Sequence, residues 1–254
     1  MSSTRWASFL VSVSITLVAI PDRARAQPPP DGVELSLGVG AIVSPRPYVD
    51  LDSEVFPIPI LGIRYKTFFF EGVRTGFRGR PVEHLELSAF LAARFDGFDA
   101  DVGSALEGMD EPSISADLGF SVAGTWDHVE VGLTVLTDVL DESDGQELDL
   151  EISFPVRRGS WSFEPSITAE YWSDDLVDHY FGVADSESRP GRPAYLGEET
   201  VNLGVGFSLN RRWRSGWMFL LGLDWKLLGD EITESPIVAD DDVLSGFVGL
   251  TYTF

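Results

Sequence analysis

The chain has 254 residues, no cysteine, and 41 acidic against 18 basic side chains, for a formal net charge of −23. A disulfide scaffold and a cysteine-ligated metal centre are excluded, and nucleic acid is excluded as a partner because phosphate binding needs clustered cations. Hydrophobic residues still reach 44 % and aromatics 12 %, too much for a disordered acidic chain, so the two kinds of residue must be separated in space.

Residues 1–26 read as a secretory signal cleaved near Ala26. Arg5 precedes an apolar run from Trp6 to Ile20, and Ala24, Arg25 and Ala26 give the small-residue cleavage pattern. That run is shorter than the roughly 20 residues a spanning helix needs, and Pro21, Asp22 and Arg23 follow it directly. Residues 27–254 then form one domain.

Within that domain the hydrophobic period is two. Val33, Leu35, Leu37, Val39, Ala41 and Val43 share one face while Glu34, Ser36, Gly38 and Gly40 share the other, the pattern of a strand with one apolar side. Residues 56–65 and 67–77 read as two further strands with blurred alternation, the first weakened by Pro57 and Pro59, which cannot donate to a ladder. Clear alternation returns over 85–95, 114–122, 129–135, 148–156, 161–171, 201–209, 217–227 and 244–254. Strands of about ten residues exceed the five or six usual in soluble sheets and match the 9–11 of a tilted membrane strand. Over 217–227, Trp217 and Trp225 bracket an aliphatic band, as the aromatic girdles of an outer-membrane barrel would. The last strand ends on Tyr252 and Phe254, an aromatic terminus expected to be the insertion signal read by the barrel assembly machinery.

The expected fold is therefore all-β, an antiparallel transmembrane β-barrel in the outer membrane, in contact with lipid and lipopolysaccharide. Eleven strands can be read. Single-chain bacterial barrels have even numbers, so twelve are expected, with ten as the alternative and the missing strand between Pro45 and Pro81. Counting back from Phe254, residues 230–242, 173–200, 141–146 and 96–112 become outer loops, and 211–214, 157–160, 124–127 and 79–83 periplasmic turns. Arg78, Arg80, Arg157, Arg158, Arg211, Arg212 and Arg214 gather at those turns while the long loops are acidic.

Candidate chemistry is sparse. His84 and His128 begin strands and His179 lies in an outer loop, so none stands mid-strand beside a lumen serine, and no enzyme or cofactor is expected. Asp230, Glu231, Glu234, Asp240, Asp241 and Asp242 read as a solvated acidic loop, because no glycine-turned calcium loop is present. Residues 173–200, with Tyr180, Phe181 and Tyr195, are long for an unstructured connection; they either fold over the barrel mouth, the favoured reading, or bind an external ligand. The inward faces carry Glu34, Glu86, Asp117, Glu130, Asp149, Glu151, Glu164, Glu170 and Asp224 against Arg94, Lys226 and a few others, so a water-filled lumen would favour cations.

The segment WSDDLVDHYFGVADSESRPGRPAY from Trp172, and LLGDEITESPIVADDDVLSGFVGLTYTF from Leu227, resemble the MipA/OmpV family of outer-membrane proteins. The family's Tyr-Tyr-Gly-Val element followed by Glu and Arg is matched by Tyr180, Phe181, Gly182, Val183, Glu187 and Arg189, with Phe181 a conservative departure. Its Asp-Ser-Pro element corresponds to Glu234, Ser235 and Pro236, and residues 48–59, Arg94, Leu106, Gly108, Met109 and Asp110 also fit. The resemblance implies a non-enzymatic scaffold holding a lytic murein transglycosylase and a bifunctional murein synthase together. The alternatives are a narrow cation-preferring pore, or a surface adhesin or osmotic-response protein. Tyr180, Phe181, Gly182, Glu187, Arg189 and Tyr195 are the candidate loop surface, and Arg157, Arg158, Arg211, Arg212 and Arg214 the candidate periplasmic docking turns.

Overall fold

A strand that is apolar on one side and polar on the other has two ways to bury a face: a water-excluding core, or lipid outside and polar side chains within. The computed structural model, which describes residues 32–254 except 45, 52 and 101–103, takes the second. The proposed signal segment lies outside the described residues. Thirteen strands form, β1 (Glu34–Ser44), β2 (Glu54–Tyr65), β3 (Phe68–Glu71), β4 (Arg74–Val82), β5 (Leu85–Arg94), β6 (Ser115–Trp126), β7 (Val129–Asp138), β8 (Gln146–Ser153), β9 (Val156–Arg158), β10 (Trp161–Trp172), β11 (Thr200–Arg212), β12 (Trp217–Leu227) and β13 (Asp242–Thr253), with helices α1 (Asp174–Phe181) and α2 (Asp230–Thr233) in the loops.

Each strand pairs antiparallel with its neighbours, and β13 pairs with β1 from Ser36↔Thr253 to Val43↔Gly246, closing the sheet and leaving no first or last edge. β8 and β9 pair with β10 in one unbroken register, Ser153↔Ser166 and Val156↔Phe163. Between them lies Pro155, and opposite Phe154 lies Pro165, whose carbonyl accepts from Phe154 N–H at 2.9 Å but which has no N–H to return. The two segments are one barrel strand, and the barrel has twelve.

The strand that sequence reading merged lies where it was sought. Residues 67–77 are not one strand: the chain turns back at Gly72 (φ 59°) and Val73, with Glu71 opposite Arg74. The alternation is blurred because Phe68, Phe69 and Phe70 are consecutive, and Phe69 points inward to pack with Phe90, Ala92 and Leu136. These two turns also begin four and three residues later than expected, since β4 runs to Val82 and β6 to Trp126.

Burial is inverted relative to a soluble protein. Val39, Leu133, Val201, Leu203 and Val205 are exposed, whereas Ser36, Ser115, Asp117, Glu147, Glu170, Asn202, Ser208, Asn210 and Thr251 are buried. Tyr65, Trp126, Trp161, Trp217 and Phe254 are exposed around the end where β1 begins and β13 ends, called the termini end below, and Tyr171 and Trp225 around the other, two girdles flanking an apolar band. Tyr252 packs edge-on against both Trp217 and Phe254, at 5.3 and 4.8 Å, and Phe254 N–H donates to Leu35 O at 2.9 Å. Leu133→Arg should therefore destabilise the barrel by about 2–4 kcal/mol in a urea titration in lipid vesicles. Gly132→Ser, one residue away on the lumen face where a new Cβ meets nothing within 4 Å, should be close to neutral; equal costs at both would contradict the register.

Candidate functional site

Inward-pointing charges are tied to one another. Near the termini, Arg64 bridges Glu34 and Glu71 at 3.8 and 2.7 Å, Arg78 bridges Glu71 and Glu86 at 3.1 and 3.3 Å, and Arg80 reaches Glu86 at 2.9 Å. Arg78 is thus a lumen residue of β4, and Arg80, past the register shift that follows Gly79, is exposed at the rim; sequence reading placed both at a turn, but β4 continues past them to Val82. At the other end Arg94 holds Asp96, Asp117 and Glu147 at 3.0, 2.7 and 2.6 Å, and Lys226 holds Glu170 at 2.5 Å. Glu147, Asp149 and Glu170 bring carboxylate oxygens within 4.8 Å of one another, a donor set that a hard cation could use. Arg94 and Lys226, ion-paired to two of the three, already supply the compensating charge there.

Above this layer the loops form a lid. Ser173 caps α1, accepting from Leu176 N–H at 3.4 Å, and Asp174 and Asp175 occupy the first turn, where the helix dipole favours acids. The helix buries Leu176, Val177, Tyr180 and Phe181 against Tyr48 and Leu51 of the β1–β2 loop, Leu106 and Met109 of the β5–β6 loop, and Ile232 and Ile237 of the β12–β13 loop. Four loops therefore share one apolar core; Leu106, Val177, Ile232 and Ile237 are fully buried in it. Stacked rings link it to the wall, Phe181 lying 5.4 Å from Tyr48 and 6.2 Å from Trp172 at the top of β10.

Most of the candidate loop residues hold this lid together. Glu187 accepts from Asp110 N–H at 2.7 Å and Ala184 N–H at 3.0 Å. Arg189 donates to the carbonyls of Ser104, Ala105 and Glu107 across the gap between loops. Tyr195 O–H donates to Glu231 O at 2.7 Å, and burial beside the Glu231 carboxylate pushes its hydroxyl up to about 12, so it remains a donor. Gly182 leaves no room for a Cβ beside the Asp178 carbonyl, to which its own N–H donates at 2.8 Å. Arg192, which sequence reading missed, is only 5 % exposed and donates to Ala105 O at 2.7 Å and Glu187 O at 2.8 Å. Its place three residues after Arg189 in a Pro-Gly-Arg-Pro turn was the one available signal.

Lid and wall enclose a cavity of about 110 Å³, roofed by Tyr48, Tyr180, Phe181 and Ile232 and walled by Glu170, Trp172, Asn202 and Lys226. Trp172 Nε1, Tyr180 Oη and Asn202 Nδ2 border it as buried polar atoms without a hydrogen-bond partner. His179 sits edge-on to Tyr180 at 4.7 Å, and burial holds its imidazole below the usual range. His84 and His128 lie in exposed turns at the termini end, so the three histidines are not brought together.

At that end Arg157 and Arg158 close β9, Arg212 closes β11 and Arg214 lies in the turn after it; all four are exposed, and the two strand ends are joined through Trp161↔Arg158 and Trp161↔Arg211. Arg211 differs from them. Its guanidinium lies between the Trp161 and Trp213 rings at 4.9 and 4.8 Å, at the level of the aromatic girdle.

The sequence comparisons agree with this architecture. The family model described as MltA-interacting protein MipA matches residues 37–254. The putative outer membrane protein YiaT of Escherichia coli K12 is 26 % identical, over 94 % of this chain and 97 % of its own length. The MltA-interacting protein of the same organism is 25 % identical over 87 % and 90 %, and the outer membrane protein OmpV of Vibrio cholerae 25 % over 72 % and 70 %. An all-antiparallel closed barrel with an apolar outer face and a match along nearly its whole described length leaves one assignment: the chain belongs to the MltA-interacting protein (MipA/OmpV) family of outer-membrane proteins.

Proposed function

We propose that this protein is a non-enzymatic outer-membrane anchor that holds a lytic murein transglycosylase, together with a murein synthase, at its periplasmic face. In outer-membrane barrels the short turns face the periplasm and the long loops the exterior. The lidded end is then external, and the turns bearing Arg157, Arg158, Arg212 and Arg214 point toward murein. The observation that carries the reading is this cluster of exposed cations in a chain of net charge −23, at the one end of the barrel that the lid leaves uncovered. The name of the Escherichia coli relative supports the transglycosylase as the partner class. Scattered histidines, and Arg94 and Lys226 tied up in ion pairs with Asp96, Asp117, Glu147 and Glu170, fit a scaffold better than a catalyst.

Replacing Arg157, Arg158, Arg212 and Arg214 by serine, with Arg211 kept because it packs between two tryptophan rings, should leave barrel assembly intact, because exposed charges contribute little to folding. Capture of a purified lytic transglycosylase by the immobilised barrel should fall, and wild-type capture should weaken steeply with salt. Equal capture by the two proteins at low and physiological salt would remove these turns from the interface.

A further inference from the structure

The barrel wall is not of even height. β2 has twelve residues and its neighbour β3 only four. The β3–β4 hairpin reaches no farther than the bonds from Gly72 N–H to Leu61 O and from Ala93 N–H to Val73 O, both 3.0 Å. Residues 54–60 of β2 therefore pair with β1 on one side and, among the described residues, with no strand on the other. Seven residues at about 3.3 Å each, tilted by about 45°, leave a gap roughly 16 Å tall in the outer half of the wall.

The edge of this gap is built to stay open. Leu61 points its carbonyl across to the hairpin, so Pro59, Pro57 and Val55, of the same parity, point their backbone groups into the gap. Prolines at two of these positions remove the N–H groups that a foreign strand would need, which blocks strand addition at an exposed edge. What remains, beside the one N–H of Val55, is a row of acceptors, the carbonyls of Val55, Pro57 and Pro59.

Behind the edge the lumen is apolar, as it is around Phe69, Phe90, Ala92 and Leu136. Phe56, Ile58 and Ile60 face inward, opposite Ile42, Gly40 and Gly38 of β1. Ile60 and Phe247 close over Gly249, where a Cβ would lie 2.7 and 2.8 Å from their nearest atoms. Above the gap the lid is shut: Tyr48 meets Phe98 at 5.0 Å, and Ser104 Oγ donates to Asp50 at 3.1 Å, joining the β1–β2 and β5–β6 loops. The opening therefore faces sideways, flanked by exposed Val55, Val73 and Leu91, into the outer leaflet.

We propose that this gap is a lateral port in which an acyl chain of outer-leaflet lipopolysaccharide enters the lumen and lies against Phe56, Ile58 and Ile60. Lipopolysaccharide acyl chains carry hydroxyl and amide N–H donors near the sugar, which suit an edge of bare carbonyls; the ester-linked chains of a glycerophospholipid have none. Unsatisfied carbonyls in hydrocarbon are costly, so a donor-bearing chain is the occupant this edge selects.

The test is mass spectrometry of the intact, full-length protein extracted from native outer membranes in mild detergent, with bound lipid identified and quantified. Wild type should retain lipopolysaccharide, and Ile58→Trp, which fills the apolar strip, should reduce that about tenfold while heat-modifiable gel mobility persists. Wild type without lipopolysaccharide, glycerophospholipid in its place, or undiminished retention by the variant would overturn the port. Should Ile58→Trp fail to assemble, a nitroxide on Ile58→Cys reports instead, the chain having no cysteine of its own. In vesicles containing lipopolysaccharide that label should be more accessible to oxygen than to a water-soluble nickel chelate, and a label on Gly132→Cys the reverse. Greater access of the chelate at position 58 would equally overturn it.

Discussion

Replacing Arg94 by alanine should lower the stability of the folded barrel by about 3–5 kcal/mol, the cost of removing one partner from a buried ion pair. Arg94 is 7 % exposed and is the only cation within salt-bridge distance of Asp96 and Asp117 among the described residues, and it also holds Glu147. Without it those carboxylates face one another in a confined lumen. Arg94→Lys should recover only part of the loss, because an ammonium is a point charge and cannot fork toward three carboxylates on the β5–β6 loop, β6 and β8 as a guanidinium does. Guanidinium titration in lipid vesicles, followed by tryptophan fluorescence, measures both variants. An unchanged midpoint for Arg94→Ala would mean that the lumen charges contribute nothing to closure.

The double variant Arg189→Ala/Arg192→Ala should open the lid and leave the barrel folded. These two side chains supply the bonds from the α1 loop to the carbonyls of Ser104, Ala105 and Glu107. A hydrogen bond from a charged donor contributes about 1.5–3 kcal/mol, so losing several should raise the open population about a hundredfold or more. Cleavage of residues 183–199 by protease added to whole cells should rise accordingly, with gel mobility of the barrel unaltered. Resistance equal to wild type would show that the apolar core of Leu176, Tyr180 and Ile237 holds the lid unaided.

The strands were legible because lipid outside and polar side chains inside impose a period of two that runs cleanly along β10 and β11 and survives on the outer face of β5 and β12, although Phe90, Ala92, Met218 and Leu220 are apolar residues on their inner faces. β3 and β4 were not, for a local reason: three consecutive phenylalanines erase the alternation, and the two-residue turn at Gly72 and Val73 carries no Asn or Asp to announce it. The lid was hidden for a different reason. Its core joins the apolar face of α1 to two buried residues from each of three other loops, Leu51, Leu106 and Ile237 among them, and no periodicity marks residues that meet only in three dimensions. α1 did leave a trace, a capping Ser173 with two acids after it and apolar residues at 176, 177, 180 and 181. Of the candidate site, Glu187 and Arg189 were identified by their family pattern and Tyr195 as an aromatic residue in a long loop, but neither signal said that their polar groups bind other loops.

The central claim is a barrel sealed at its outer mouth that acts through its periplasmic turns. Planar-bilayer recording of the purified full chain tests this most directly. The closed lid and cross-linked lumen predict a baseline without stable conducting steps, and deletion of residues 174–195 should bring steps that favour cations, given Asp149, Glu151, Glu164 and Asp224 on the inner wall. Stable, porin-like openings in the unmodified protein would contradict the account.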